Sequence, residues 1–161
     1  MINRTFVQRF LLSIAVAGLF LIGSGCTSRP SFVRSANADP ALRKSNAEFA
    51  ADAAHRQYEG NANHEGAANG GAVIDYGFHY LSLVNSSNQD WTNVEVWVNK
   101  QYVVMIPKIS ANAAQAEIVS FDMIYDSKGA SFPTDSAKTP ITSVEIFSDG
   151  KMFSLMTQLA D

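Results

Sequence analysis

The residue types that carry out acid–base, nucleophilic or metal chemistry are few in this chain, and they lie far apart. The three histidines, His55, His64 and His79, fall in three different segments, so none has the i, i+4 or short-loop spacing of metal ligands. The acidic residues match no calcium-binding loop, and no Gly-x-Ser-x-Gly motif occurs. We therefore expect no catalytic residue, no cofactor and no metal site, and a protein that is not an enzyme.

The only cysteine, Cys26, is the one residue whose surroundings predict a defined chemical modification. Two arginines come first, a mostly apolar run follows over residues 10–22, and Gly23-Ser24-Gly25 leads directly into the thiol. This order is that of a secretory signal peptide, and the apolar run is too short to span a bilayer. We therefore predict a signal peptide over residues 1–25 and export of the rest of the chain.

The segment Gly23-Ser24-Gly25-Cys26 resembles the lipobox of bacterial lipoproteins, although Gly23 stands where the family usually has a leucine-like residue. The resemblance implies that Cys26 becomes the first mature residue and is acylated with chains such as palmitate. At about 0.8 kcal/mol per buried CH₂, several chains anchor a protein to a membrane. Thr27, rather than an aspartate, follows the cysteine, which favours the outer over the inner membrane. The alternative is an ordinary secretory signal cleaved near Gly25, which leaves a free thiol.

The charge pattern bears on the partners of the exported chain. All fifteen acidic residues follow residue 25, whereas two of the twelve Lys and Arg precede it, so the exported part is acidic. The basic stretch between Thr27 and Lys44 either contacts anionic lipid headgroups beside the anchor or is a solvated linker. An acidic domain without basic clusters predicts that nucleic acid is not a partner.

One helix is expected between the anchor and the domain. Asp39-Pro40 is typical of a helix start, with Asp at the N-cap and Pro at the first helical position. The alanine-rich sequence that follows predicts an α-helix over residues 39–58. Leu42, Phe49 and Ala53 recur on one face of this helix, so they are its candidate buried residues.

Two segments on either side of this helix have the composition of linkers. Residues 26–38 are rich in Ser, Arg and Ala and predict a lipidated, flexible leash. Residues 59–72 hold several glycines and asparagines and predict a second flexible linker. The domain itself is therefore expected over residues 73–161.

From residue 73 onward the apolar residues alternate with a period of two, which is typical of β-strands. Asn99-Lys100 and Asp149-Gly150 have the composition of two-residue hairpin turns. The spacing predicts about six or seven short antiparallel strands, the number of an immunoglobulin-like β-sandwich. The fold class is therefore all-β, with the strand order left open.

The hairpin around Asn99-Lys100 carries the candidate binding surface. If the alternate valines of its first strand face the core, Glu95 and Trp97 face the other way. An exposed Trp97 beside Tyr102 or Met105 would form an apolar patch of the kind that binds a partner. The alternative is that the predicted helix or a neighbouring strand covers Trp97 and makes it part of the core.

The segment Asn85 to Ile106 resembles hairpins in small sandwich domains of uncharacterised envelope proteins, and the resemblance implies no function. Trp91 in this segment is expected to plug one end of the sandwich. We predict a protein of the cell envelope that acts as a non-catalytic binding or scaffolding module. It is attached to the membrane through lipidated Cys26, and its partner is an envelope protein. The alternative is a carbohydrate-binding module that recognises envelope glycans through Trp97, Tyr102 and neighbouring polar residues.

Overall fold

The computed structural model describes residues 42–112, 116–135 and 138–160, which form eight β-strands and one short α-helix. The helix α1 spans Asn46–Ala54. The strands are β1 (Asn63–Asp75), β2 (Tyr80–Asn85), β3 (Trp91–Val98), β4 (Tyr102–Ile109), β5 (Glu117–Ser120), β6 (Tyr125–Asp126), β7 (Val144–Ser148) and β8 (Lys151–Leu159). The predicted signal peptide, Cys26 and the leash over residues 26–38 lie outside the described residues.

All eight strands belong to one curled, mixed sheet. Their order is β5-β2-β1-β8-β7-β3-β4-β6, and every neighbouring pair is antiparallel except β1 and β8, which are parallel. The all-β prediction is therefore confirmed. The sheet has eight strands and one parallel pair, whereas the sequence predicts six or seven strands, all antiparallel. The difference arises at β1, which forms the parallel pair and comes mostly from a segment expected to be a linker.

The curl of the sheet follows from residues 117–126, which supply both edge strands. Within this segment β5 pairs with β2 at one edge of the sheet, and β6 pairs with β4 at the other. A one-turn 3-10 helix, Phe121–Met123, and Ile124 are all that separate them. Since a chain advances at most about 3.6 Å per residue, the two edges must lie close together. The sheet therefore wraps around its apolar side chains.

The strand β1 replaces most of the linker predicted over residues 59–72. Two of its glycines lie where backbones come close, since a Cβ at Gly70 would sit 2.3 Å from the Val84 carbonyl oxygen, and one at Gly71 would sit 3.2 Å from that of Met156. Hydrogen bonds to β2 and β8 hold the strand on both sides over its second half. Tertiary pairing therefore overrides the low strand propensity of glycine and asparagine.

Within the described residues the helix is shorter than predicted over 39–58, and the predicted start at Asp39-Pro40 lies outside the described residues. It begins after Ser45, whose hydroxyl accepts a hydrogen bond from the Glu48 amide, while the Glu48 carboxylate accepts one from the Ser45 amide at 2.7 Å. This capping box sets the start of the helix at Asn46. Phe49 and Ala53 are buried as predicted, and Leu42, which precedes the helix, is buried as well. The hydrogen bonds to Ser45 lower the pKa of Glu48.

The predicted two-residue turn is confirmed at Asp149-Gly150, since Ser148 pairs with Lys151, whereas Val98 pairs with Tyr102 and leaves a three-residue loop from Asn99 to Gln101. Asn99 and Lys100 have φ of 52° and 58°, and Asp149 and Gly150 have φ of 50° and 76°. Positive φ at both central residues is the type I′ geometry that matches the twist of the flanking strands. Asn99 also fixes the segment before β7, because its side chain donates to the Pro140 carbonyl at 2.9 Å and accepts from the Thr142 amide at 2.8 Å.

Candidate functional site

The four residues of the predicted hairpin surface lie on two different faces of the sheet. Glu95 pairs with Met105, and Trp97 pairs with Val103 two residues further along β3. Glu95, Met105 and Trp97 therefore share one face of the sheet. Tyr102 pairs with Val98 and lies on the opposite face, where its ring packs edge-to-face on Phe132 at 5.1 Å between centroids. These four side chains therefore form no common surface.

Trp97 is 2% exposed and belongs to the core, which is the alternative left open by the sequence. Tyr58, in the extended segment that follows α1, packs edge-to-face on the indole at 5.5 Å between centroids. The half-buried Glu95 accepts a hydrogen bond from Trp97 Nε1 at 3.1 Å. The patch expected around Trp97 is thus covered by the protein's own chain.

The contacts around Trp97 form an ionic cluster on the outer side of β3 and β7. The Arg56 guanidinium contacts the Glu95 carboxylate, and the Tyr58 hydroxyl donates to Glu145, a buried carboxylate, at 2.9 Å. Burial and this hydrogen bond raise the pKa of Tyr58 to about 12. A phenol that stays protonated at neutral pH is a poor general base. The contacts of Arg56 and Tyr58 with the two carboxylates therefore have a structural role, because they hold the Arg56–Tyr58 segment against the sheet.

A separate groove of about 380 Å³ opens near the start of β3. Its floor crosses four adjacent strands, β1, β8, β7 and β3, and the loop between β2 and β3 forms one wall. Trp91, Phe153 and Ile146 supply its large apolar side chains, and Trp91 and Phe153 are half-buried. The indole of Trp91, which the sequence predicts to plug one end of a sandwich, thus lines a concavity.

The position of the Trp91 ring depends on the glycine beside it. A Cβ at Gly70 would lie 2.5 Å from the outer carbon Cη2 of the indole, closer than any non-bonded contact allows. Gly70 in β1 therefore leaves the space that the ring occupies. The groove owes part of its shape to this missing side chain.

The wall of the groove is held in place by the buried Asn85 at the end of β2. Its side-chain NH₂ donates to the carbonyls of Gln89 and Ile109 at 2.8 and 3.1 Å, and its oxygen accepts from the Ser87 amide and hydroxyl at 3.0 and 2.7 Å. Every polar atom of the Asn85 side chain is thus paired. The loop from Ser86 to Asp90 is therefore fixed by hydrogen bonds before any ligand arrives.

The polar side chains that line the groove fall into two groups. Asp90 accepts a hydrogen bond from the Ala111 amide at 2.8 Å and contacts Lys108 at 2.6 Å, and these contacts lower its pKa. Lys151 bonds to Glu65 at 3.1 Å. By contrast, the side chains of Asn88, Gln89 and Asp149 are exposed and make no hydrogen bond within the part of the chain that is described. This second group is available to a ligand.

The described residues contain no cluster of three or more His, Cys, Asp and Glu side chains that could hold a metal ion. Within the same residues, no helix has the length and apolar character needed to cross a bilayer. Comparisons of the chain with protein-family models, with curated proteins and with solved structures found no match.

The groove has no contiguous signature in the sequence. Its residues come from β1, the β2–β3 loop, β3, β7 and β8, which are neighbours only after the sheet has formed. The one local signal is Trp91 directly after the polar run Asn85 to Asp90, because tryptophan is enriched at binding surfaces.

Proposed function

We propose that this chain is an exported protein, anchored to the cell envelope through acylated Cys26, whose β domain binds a partner without changing it chemically. The arginine-led apolar run and the small residues before Cys26 support the anchor. Thr27 after the cysteine favours the outer membrane. The groove beside Trp91 supports the binding role and takes the place of the surface expected around Trp97.

The observation that carries the binding role is the combination of shape and unused polar groups in this groove. A concavity lined by aromatic rings, with a few polar side chains at its rim, is the usual form of a binding site. Its floor is hydrogen-bonded sheet, and its wall is fixed by Asn85, so little ordering is required when a ligand binds. This preorganisation favours binding over a purely structural role.

The chemistry of the groove favours binding over catalysis. The hydrogen bond from the Ala111 amide and the contact with Lys108 keep the pKa of Asp90 low, so it is not a proton donor at neutral pH. Asp149 lies exposed in the β7–β8 turn. Both carboxylates are exposed to solvent, whereas catalytic acids and bases usually lie in surroundings that exclude water.

The anchor is tested by replacing its thiol. Cells grown with an alkyne-bearing fatty acid should label the wild-type protein, and the wild type should sediment with membranes. The Cys26→Ser variant should lose the label and appear in the soluble envelope fraction. The matched control Ser24→Ala keeps the cysteine and should still be labelled. A membrane-bound, labelled Cys26→Ser protein would overturn the anchor.

The binding role is tested by photo-crosslinking in cells from a residue of the groove. A photoreactive side chain at Asn88 faces the groove, whereas one at Ser127 lies in the exposed turn after β6, near the other end of β4. The proposal expects one discrete adduct from position 88 that is missing from position 127. Identical adducts from both positions, or none from either, would refute a binding role for the groove.

A further inference from the structure

We propose that the groove beside Trp91 binds a neutral saccharide chain, an inference that rests on the binding role proposed above. A sugar ring presents a face of C–H groups and a rim of hydroxyls. The groove offers the complement of both, with aromatic side chains on its surface and amides at its edge. The ligand class therefore follows from the chemistry of the lining.

The aromatic side chains provide the apolar part of this recognition. Trp91 and Phe153 are half-buried, so each ring is held by the fold while part of it reaches the groove. The face of an aromatic ring carries partial negative charge, which attracts the weakly positive C–H groups of a sugar. Gly70 leaves the space that lets the indole lie where it does.

The amides provide the polar part. Asn88 and Gln89 each offer two N–H donors and one carbonyl acceptor, a set that can bond to a pair of neighbouring hydroxyls. Both side chains are exposed, and within the described residues neither makes a hydrogen bond to the protein. A ligand that bonds to them therefore displaces only water.

The charges of the groove select a neutral ligand. Asp90 is paired with Lys108 and Lys151 with Glu65, which leaves Asp149 as the charged lining residue with no ion pair among the described side chains. One uncompensated carboxylate disfavours phosphorylated, sulfated or uronate-rich polymers. It leaves hydroxyl-rich neutral chains without an electrostatic penalty.

The strand pairing argues against an extended peptide as the ligand. Peptides that bind sheets usually add a strand to a free edge. Here β8 lies between β1 and β7, and β7 lies between β8 and β3, so the floor of the groove offers no free edge at its centre. The volume of about 380 Å³ is near the lower end of the range for ligand pockets, about 300–1,000 Å³, and suits a few sugar units.

The test is a titration of the intact, detergent-solubilised protein with neutral tetrasaccharides: chitotetraose, cellotetraose and maltotetraose. Trp97 is buried, so changes in tryptophan emission should come from Trp91. The proposal expects a saturable change in emission with at least one of these sugars. Asn88→Ala and Gln89→Ala should each weaken binding about 5- to 10-fold through loss of a hydrogen bond. The matched control Ser127→Ala should bind like the wild type.

The outcomes separate this inference from the binding role on which it rests. If no tetrasaccharide binds but Asn88 crosslinks a protein in cells, the saccharide is refuted and the binding role stands. If no sugar binds and no adduct forms, both are refuted. Binding that is equally tight to the anionic polymer polygalacturonate would refute the selection for neutral ligands. Binding unaffected by both amide substitutions would place the sugar outside the groove and overturn the inference.

Discussion

Replacement of Gly70 by alanine tests how closely β1, β2 and Trp91 are packed. The added Cβ would lie 2.3 Å from the Val84 carbonyl oxygen and 2.5 Å from Trp91 Cη2. Favourable contacts between such atoms need about 3.5 Å. Accommodating the methyl group therefore requires a shift of about 1 Å in both the backbone of β2 and the indole ring.

The expected cost follows from these two clashes. Overpacking of a well-filled site costs about 1–3 kcal/mol, and the upper end applies here because one of the atoms belongs to the backbone of a paired strand. Alanine also restricts the unfolded chain, which stabilises the fold by about 0.4–1 kcal/mol. We therefore expect Gly70→Ala to lower the free energy of unfolding by about 2 kcal/mol.

Two other glycines give a graded control. A Cβ at Gly60 would lie no closer than 3.7 Å to the ring of Tyr58, so Gly60→Ala should be as stable as the wild type or slightly more so. A Cβ at Gly71 would lie 3.2 Å from the Met156 carbonyl oxygen, which predicts a smaller loss than at Gly70. Urea unfolding followed by circular dichroism gives the order. Equal midpoints for Gly70→Ala and Gly60→Ala would refute this description of the packing.

Three further substitutions test other contacts. Asn85→Ala leaves two carbonyls without their donor and should cost about 3 kcal/mol in urea unfolding, whereas Asn88→Ala should change stability by less than about 0.5 kcal/mol. Trp97→Ala empties a buried site and should cost about 3–5 kcal/mol, measured by thermal unfolding; a loss below about 1 kcal/mol would contradict its burial. The pKa of Tyr58 is raised from 10.0 to about 12, so the protonated hydroxyl stabilises the folded state fully below pH 10, and this contribution is lost as the pH rises towards 12. Tyr58→Phe should lack this alkaline loss, and parallel pH profiles for wild type and variant would contradict it.

The features that could be predicted from sequence are those that depend on neighbours in the chain. Asp149-Gly150 forms the predicted two-residue turn, and Asn99 begins the other hairpin loop, because asparagine, aspartate and glycine tolerate positive φ. The alternating valines of β3 are buried as their spacing indicates. Phe49 and Ala53 are buried because they recur on one side of a helical turn. In each case a few adjacent residues contain the whole signal.

The features that could not be predicted depend on distant partners. The first half of β1 becomes a strand because β8 lies beside it, and from Gly70 onward β2 pairs with it on the other side. Trp97 and its neighbour Glu95 look like surface residues in β3, and only the return of Tyr58 and Arg56 onto the sheet covers them. Alternation along one strand does not indicate what packs on its second face.

The central position of β8 has a consequence for how the protein folds. It is the last of the described strands along the chain, yet it joins β1 on one side to β7 on the other. Until β8 is in place, β1 and β7 both present open edges, and such edges pair readily with other chains. Contacts so distant in sequence also form slowly. Any state of the chain in which β8 is not yet paired therefore exposes two strand edges at the centre of the sheet, and β8 closes both of them at once.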